Sequence, residues 1–65
     1  MQVRYDEAVD AAFIKLSSDT PQGGVEIGEG VILHMTEKDK IVAIEILGAS
    51  KRFPIQNLFT LKVAS

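Results

Sequence analysis

The sequence contains no cysteine and no tryptophan, and it has a single histidine among its 65 residues. The absence of cysteine excludes a disulfide framework, a thiolate zinc site and a cysteine nucleophile. No apolar run approaches the roughly 20 residues that a membrane-spanning helix needs, because the longest such run, at 41–44, ends at Glu45. The first residues lack the apolar core of a signal peptide. These absences predict a soluble cytoplasmic protein that makes no membrane contact.

Size and charge restrict the function further. A chain of 65 residues and 7.1 kDa forms a single domain over 1–65. A chain this short buries only about 60% of the surface that it exposes when unfolded, yet 46% of its residues are hydrophobic. This combination predicts apolar surface that is shared with a second chain. The net charge of −2 and the dispersed basic residues argue against nucleic acid as a partner.

Residues 31–47 have the pattern of a β-hairpin, with apolar and polar positions alternating on either side of a polar loop over 36–39. This loop length pairs Leu33 with Val42 and places the two apolar faces on the same side of the sheet. The apolar face formed in this way is the predicted core: Val31, Leu33, Val42, Ile44 and Ile46.

The segments before the hairpin predict further extended structure. Alternation predicts a first strand at 3–5, and the acidic segment 6–10 has the composition of a turn. Residues 11–17 fit either a helix or a strand, because periodicity does not separate the two over so few residues. Residues 18–24 predict a loop, and the glycines within 28–30 predict a bulge or a sharp bend.

The segment after the hairpin predicts a short helix. Pro54 suits the first turn of a helix over 54–58, and the alternation of Leu61 and Val63 predicts an extended end. The predicted fold class is therefore α+β but mostly β: a small antiparallel β-meander of four to five strands with one short C-terminal helix.

The face of the last hairpin strand that lies opposite the predicted core is half apolar. A one-sided antiparallel sheet is polar on its outer face, so we expect this one to be covered, by the C-terminal segment on one side and by a second chain on the other. The alternative is a set of scattered exposed apolar residues, which are normal on any surface. The candidate interface residues are Phe13, Ile32, His34, Ile41, Ala43, Glu45, Leu47 and Phe59.

Several segments are similar to those of a known family. They are Val-Arg-Tyr-Asp at 3–6, Asp-Ala at 10–11, Phe-Ile-Lys-Leu-Ser at 13–17, Glu26, Gly-Val-Ile-Leu at 30–33 and Ile-Val-Ala-Ile-Glu-Ile-Leu-Gly-Ala-Ser at 41–50. Over about residues 3–52, the sequence resembles the bacterial family called domain of unknown function 2283. The family pattern has an acidic residue where His34 stands and glycine where Asp39 and Ala43 stand. The resemblance implies a mostly antiparallel sheet, favours a strand at 11–17, and brings no activity or functional residues with it.

No pattern in the sequence indicates an enzyme. His34 is the only side chain that titrates near neutral pH, and the predicted hairpin register places the nearest carboxylate, Glu45, opposite Gly30. The acidic residues over 6–10 lack the spacing of a calcium loop, and the glycines over 23–30 lack that of a phosphate loop. We therefore expect no catalytic, metal or cofactor site.

Glu45 is an acidic residue within the most apolar strand, and two interpretations of it remain open. In one, its charge keeps that face soluble. In the other, it contacts a basic residue of a second chain: Arg4, Lys15 or Arg52.

Two functions are consistent with these observations. The first is a non-enzymatic protein-interaction module that self-associates as a dimer. The alternative is a small regulatory or antitoxin-like protein that binds a neighbouring protein, with weak nucleic-acid contact through Lys51, Arg52 and Lys62. The second requires a heterologous partner, and co-purification distinguishes the two.

Overall fold

The structure is a computed structural model that describes residues 1–61. Its elements are β1 Gln2–Asp6, β2 Ala11–Lys15, β3 Gly23–Gly28, β4 Val31–Met35, β5 Ile41–Leu47, a 3-10 turn at Ala49–Lys51 and helix α1 Ile55–Leu58. The five strands form one antiparallel sheet. The predicted fold class, mostly β with a short C-terminal helix, is confirmed. Within residues 1–61, no helix has the length and apolar character needed to cross a membrane.

The strands lie side by side in the order β1-β2-β5-β4-β3. The predicted meander is therefore interrupted once, because β5 rather than β3 pairs with β2. The segment 16–22 must cross the end of the sheet to reach β3. It is attached at both ends by backbone hydrogen bonds, from Leu16 N to Val42 O (2.8 Å) and from Gln22 N to Met35 O (2.8 Å).

The N-terminal hairpin agrees with the sequence. Segment 11–17, whose sequence fits either a helix or a strand, contains strand β2, as the family resemblance implies. The turn before it forms as predicted, with the Asp6 carboxylate accepting a hydrogen bond from Ala8 N at 3.0 Å. Asp10 ends this turn with a φ of 53°, a left-handed conformation that aspartate tolerates better than most residues.

The β3–β4 hairpin contains both of the irregularities predicted for its glycines. The pairing with β4 skips a residue between Glu26 and Gly28, which is a bulge, and the strands are joined by a two-residue turn. Gly30 has a φ of 75° in that turn, a conformation that glycine adopts without steric cost. One boundary differs from the prediction, because the glycines at 23 and 24 start β3 instead of ending a loop.

The predicted register of the β4–β5 hairpin is wrong by two residues. Leu33 pairs with Ile44 instead of Val42. The loop is one residue longer than predicted and closes with a hydrogen bond from Thr36 N to Lys40 O (2.9 Å). A register shift beside His34 then leaves Val42 as an extra residue in β5. Because a shift of two preserves the side-chain alternation, the pairs from Val31 to His34 keep their predicted faces. Ile41 does not, because it pairs with Met35 of the predicted core face and not with the residues of the opposite face.

The side chains of residues that pair across the sheet point to the same face. Each face of the sheet can therefore be identified by one row of paired residues that runs across the strands. The aliphatic face is defined by a row that crosses all five strands: Val3, Ile14, Ile44, Leu33 and Val25. The mixed face is defined by the adjacent row on the other side: Arg4, Phe13, Glu45, Ile32 and Glu26.

The C-terminal elements pack on one end of the aliphatic face. Leu58 of α1 and Ala49 of the 3-10 turn form a cluster with Ala12, and Ile14 and Ile46 pack against it. The helix follows the proline at position 54, as predicted. Of the extended end predicted beyond it, all but the residue at 61 lies outside the described residues.

Burial in this fold is shallow. Within residues 1–61, four of the six buried hydrophobic residues are alanines, and the other two are Val42 and Leu58. The predicted core is therefore only partly confirmed, because Val42 is buried whereas its other members are half-buried: Val31, Leu33, Ile44 and Ile46. One four-residue helix is too short to cover five strands, so the part of the aliphatic face formed by β3 and β4 stays open.

Candidate functional site

Three residues from the family-like segments meet around one carboxylate, and we call them the Asp10 clamp: Tyr5, Asp10 and Ser50. The Tyr5 hydroxyl donates to Asp10 Oδ1 at 2.6 Å. Ser50 donates to the same carboxylate through its backbone N (3.0 Å, to Oδ1) and its hydroxyl (2.8 Å, to Oδ2). The backbone carbonyl of Asp10 also accepts a hydrogen bond from Ala49 N at 3.0 Å.

These hydrogen bonds shift both acidic groups of the clamp. The hydrogen bond from Tyr5, followed by those from Ser50, lowers the pKa of the Asp10 carboxyl below its ordinary value. The same Tyr5–Asp10 hydrogen bond is the main cause of the raised pKa of the Tyr5 hydroxyl. The ionised carboxylate and the protonated phenol are thus the stable pair. The hydrogen bonds from Ser50 to this carboxylate attach the 3-10 turn to the β1–β2 turn, which lies 40 residues away in sequence.

A second cluster lies on the mixed face around the Phe13 ring. The Arg4 guanidinium lies 5.2 Å from the ring centroid, and the His34 ring lies 5.8 Å away at an interplanar angle of 45°. His34 Nε2 is 3.1 Å from Glu45 Oε1. Both side chains of that pair are about a quarter exposed, at 26% and 29%.

The predicted separation of His34 from Glu45 is therefore wrong. It followed from the predicted hairpin register, which placed Glu45 opposite Gly30. In the observed register, Glu45 pairs with Ile32, so its side chain lies diagonally beside His34 on one face. This corrects the chemistry as well, because the histidine does have a carboxylate partner.

A groove of ≈ 390 Å³ lies beside this cluster, between strands β1, β2, β4 and β5 and the crossing segment 16–22. Its floor includes Val42 and Ala43, both buried. Val42 is the extra residue of β5 in its pairing with β4. The other lining residues are Gln2, Arg4, Phe13, Lys15, Asp19, Pro21 and His34.

The structure brings most of the candidate interface residues together on the mixed face. Ala43 is only 1% exposed and forms part of the groove floor, whereas Leu47 is 41% exposed. Phe59 is 59% exposed but follows α1, which packs on the aliphatic face, so it lies apart from the others. The candidates on the mixed face by their pairing are Phe13, Ile32, His34, Ala43, Glu45 and Leu47.

Arg52, one proposed contact for Glu45 of a second chain, is used within its own chain. Its Nε donates to Leu47 O at 3.1 Å, and its guanidinium also donates to Glu29 O. Sequence reasoning missed this contact and the Asp10 clamp, since both join residues that are distant or separated by turns. Within residues 1–61, no group of three or more His, Cys, Asp or Glu side chains converges in a way that could hold a metal ion.

Comparison with known proteins gives one family. Residues 2–50 match the family described as "Protein of unknown function (DUF2283)". A search of curated proteins and a search of solved structures gave no significant match. The matched region contains all five strands and ends at Ser50 of the Asp10 clamp. The chain therefore belongs to the DUF2283 family, whose function is unknown.

Proposed function

We propose that this protein is a non-enzymatic self-associating module, and that two copies form a dimer through their aliphatic faces. The observation that carries the proposal is the uncharged aliphatic row across all five strands, whose members are half-buried or exposed. An antiparallel sheet buries one face in a core and leaves the other in water. In this protein the aliphatic face has the composition of a core, yet the C-terminal elements of the chain cover only one end of it.

The shallow burial of the single chain supports this proposal. Burying a large aliphatic side chain contributes about 1.5–3 kcal/mol, whereas four of the six hydrophobic residues buried in the described part of the chain are alanines. Native domains are stable by only about 0.05–0.15 kcal/mol per residue. Covering half-buried leucine, isoleucine and valine side chains is therefore a large gain for a chain of this size.

A second copy is the occupant that the aliphatic face suits best. The row contains no charge, so a charged partner surface would lose its hydration without gaining an ion pair. The aliphatic face of a second copy is likewise uncharged in this row, so it avoids that loss. Two sheets can pack face to face at about 10 Å with interdigitated side chains. The sequence placed the interface on the mixed face, but the contacts there are largely made within the chain.

The proposal is tested by the mass of the protein in solution together with two matched variants. Val25 on the aliphatic face is 49% exposed, and Leu47 on the mixed face is 41% exposed, so a lysine at either position is tolerated by the single chain. Light scattering after size-exclusion chromatography, at micromolar concentration, gives the mass of each. We expect a dimer for the wild type and for Leu47→Lys, and a monomer for Val25→Lys.

The other outcomes are equally informative. A dimer that survives Val25→Lys but is lost in Leu47→Lys would place the interface on the mixed face. A folded wild-type monomer would overturn self-association and leave the heterologous regulatory role as the better interpretation. Circular dichroism of each variant confirms that the sheet is intact.

A further inference from the structure

We propose that the groove on the mixed face is a binding site for a small organic anion, with a carboxylate or phosphate group between Arg4 and Lys15 and a flat apolar body against Val42 and Ala43. This site is separate from the proposed dimer face. It is carried by the placement of two cations, by their lack of an ion pair within residues 1–61 and by the form of the groove.

The two cations repel each other where the fold places them. Arg4 pairs with Phe13, and Lys15 pairs with Gln2, so the two basic residues are diagonal neighbours on one face of the β1–β2 hairpin. Diagonal neighbours lie about 7–8 Å apart, within reach of long side chains. Both line the groove. An anion between them would turn this repulsion into attraction.

Neither cation forms an ion pair within residues 1–61. On this face the Glu45 carboxylate instead contacts His34, with Oε1 3.1 Å from Nε2. Asp19 stands at the loop end of the groove, and over the same residues it forms no ion pair with Arg4 or Lys15.

The Phe13 ring holds the Arg4 side chain beside the groove, where its N–H groups can donate to an anion. The Arg4 guanidinium lies over the ring, with its Cζ 5.2 Å from the centroid, which is a cation–π contact. It carries five N–H donors in a fixed planar fork. These donors match the geometry of a carboxylate or phosphate in a bidentate manner. No side chain or carbonyl within residues 1–61 accepts a hydrogen bond from them.

The groove also provides an apolar surface for the rest of the ligand. Val42 and Ala43 form a buried floor, and the Pro21 and Phe13 rings stand beside it. The volume of ≈ 390 Å³ lies at the small end of ligand pockets, which span about 300–1,000 Å³. A single-ring carboxylate or phosphate ester fits both the size and the chemistry.

The test is an NMR titration of the ¹⁵N-labelled full chain with benzoate and with phenyl phosphate. We expect saturable shifts of the amides of Arg4, Phe13 and Lys15. Benzamide, the neutral match of benzoate, should bind about tenfold or more weakly, because it lacks the charge that strengthens a hydrogen bond from a guanidinium or an ammonium group. Equal binding of benzoate and benzamide, or no saturable shift, would overturn the proposal.

Variants identify the groups responsible. Arg4→Gln and Lys15→Gln should each weaken benzoate binding about tenfold. Lys51→Gln, an exposed lysine of the 3-10 turn that packs on the other face, serves as the matched control and should leave binding unchanged. If all three variants behave alike, the attraction is general and the site is wrong.

A last comparison tests the organic part of the ligand. Phenyl phosphate should bind more tightly than inorganic phosphate, because the ring adds apolar contact with the floor. Equal affinity would reduce the groove to a site for a bare anion and overturn the proposed ligand class. Arg4→Lys keeps the charge but loses the planar fork, and we expect it to bind between Arg4→Gln and the wild type.

Discussion

The two faces of this sheet are made by the same five strands, yet they differ in how each is stabilised. On the mixed face, polar groups engage one another, as His34 does with Glu45 and Arg4 with the Phe13 ring. On the aliphatic face, the central row has no polar side chain, and a short helix and a 3-10 turn cover only one end of it. The mixed face is compatible with exposure to water, whereas the aliphatic face is stabilised only where another element or chain covers it.

This difference explains where a second chain is expected. A face that is half apolar in sequence can still be largely complete in structure, because His34 contacts Glu45 and the small residue Ala43 is buried between the strands. A face that is wholly apolar in sequence can be incomplete, because coverage depends on elements elsewhere in the chain. The hydrophobic composition of the sequence therefore predicts a second chain, but it does not indicate which face of the sheet that chain would cover.

The largest effect is expected where the chain covers its own aliphatic face. Leu58 is the one large side chain of α1 that is buried against the sheet, so Leu58→Ala should cost about 3 kcal/mol of unfolding free energy through lost burial and a cavity. Urea denaturation measures it. Leu61→Ala, at a more exposed site beside the same helix, is the control. Equal losses would show that α1 does not act as the cover.

The next effect concerns the attachment of that cover to the sheet. Asp10→Asn keeps the size of the side chain but weakens its hydrogen bonds with Tyr5 and Ser50. We expect a fall in the thermal midpoint smaller than that of Leu58→Ala. Asp6→Asn, which affects only a local hydrogen bond within the turn, should have the smaller effect of the two aspartate variants. The reverse order would show that the clamp does not hold the 3-10 turn.

The clamp also predicts how stability depends on pH. The folded-state pKa of Asp10 lies below its ordinary value of 3.8, so between the two values the unfolded chain binds more protons than the folded one. Its contribution is therefore present above 3.8 and is lost as the pH falls through the lowered pKa. Unfolding free energies measured against pH should show this acid loss in the wild type and a weaker one in Asp10→Asn. Parallel curves would contradict it.

The smallest effect is expected on the mixed face. His34 and Glu45 form a partly exposed pair, and such pairs contribute about 0.2–1 kcal/mol. A double-mutant cycle of His34→Ala and Glu45→Gln should give a coupling within that range. A coupling as large as the loss in Leu58→Ala would reverse the comparison and make the mixed face the main source of stability.

The local structure could be read from the sequence, because its signals are local. Alternation indicated β1, β4 and β5, Pro54 indicated the start of α1, and the glycines at 28–30 indicated an irregular hairpin. The aliphatic and mixed faces followed from the same alternation. These features depend on backbone preferences and side-chain periodicity over a few residues, which a single sequence contains.

The register and the site required information that a single sequence does not display. The β4–β5 register depends on an extra residue in the loop and another at Val42, and neither has a distinct sequence pattern. The contact of His34 with Glu45 depended on that register. The hydrogen bonds between Asp10 and Ser50 join residues 40 positions apart, so no local pattern predicts them.

The position of β5 also determines when the sheet can be completed. β5 follows all other strands in the chain, yet it lies at the centre of the sheet and joins β2 to β4. Until residues 41–47 are in place, the β1–β2 and β3–β4 hairpins are separate, and each has two open edges. Two-stranded hairpins are at best marginally stable in water, and open edges invite pairing between chains. Assembly of this fold therefore waits for its last strand, and a chain interrupted before Ile41 exposes the edges that β5 normally joins.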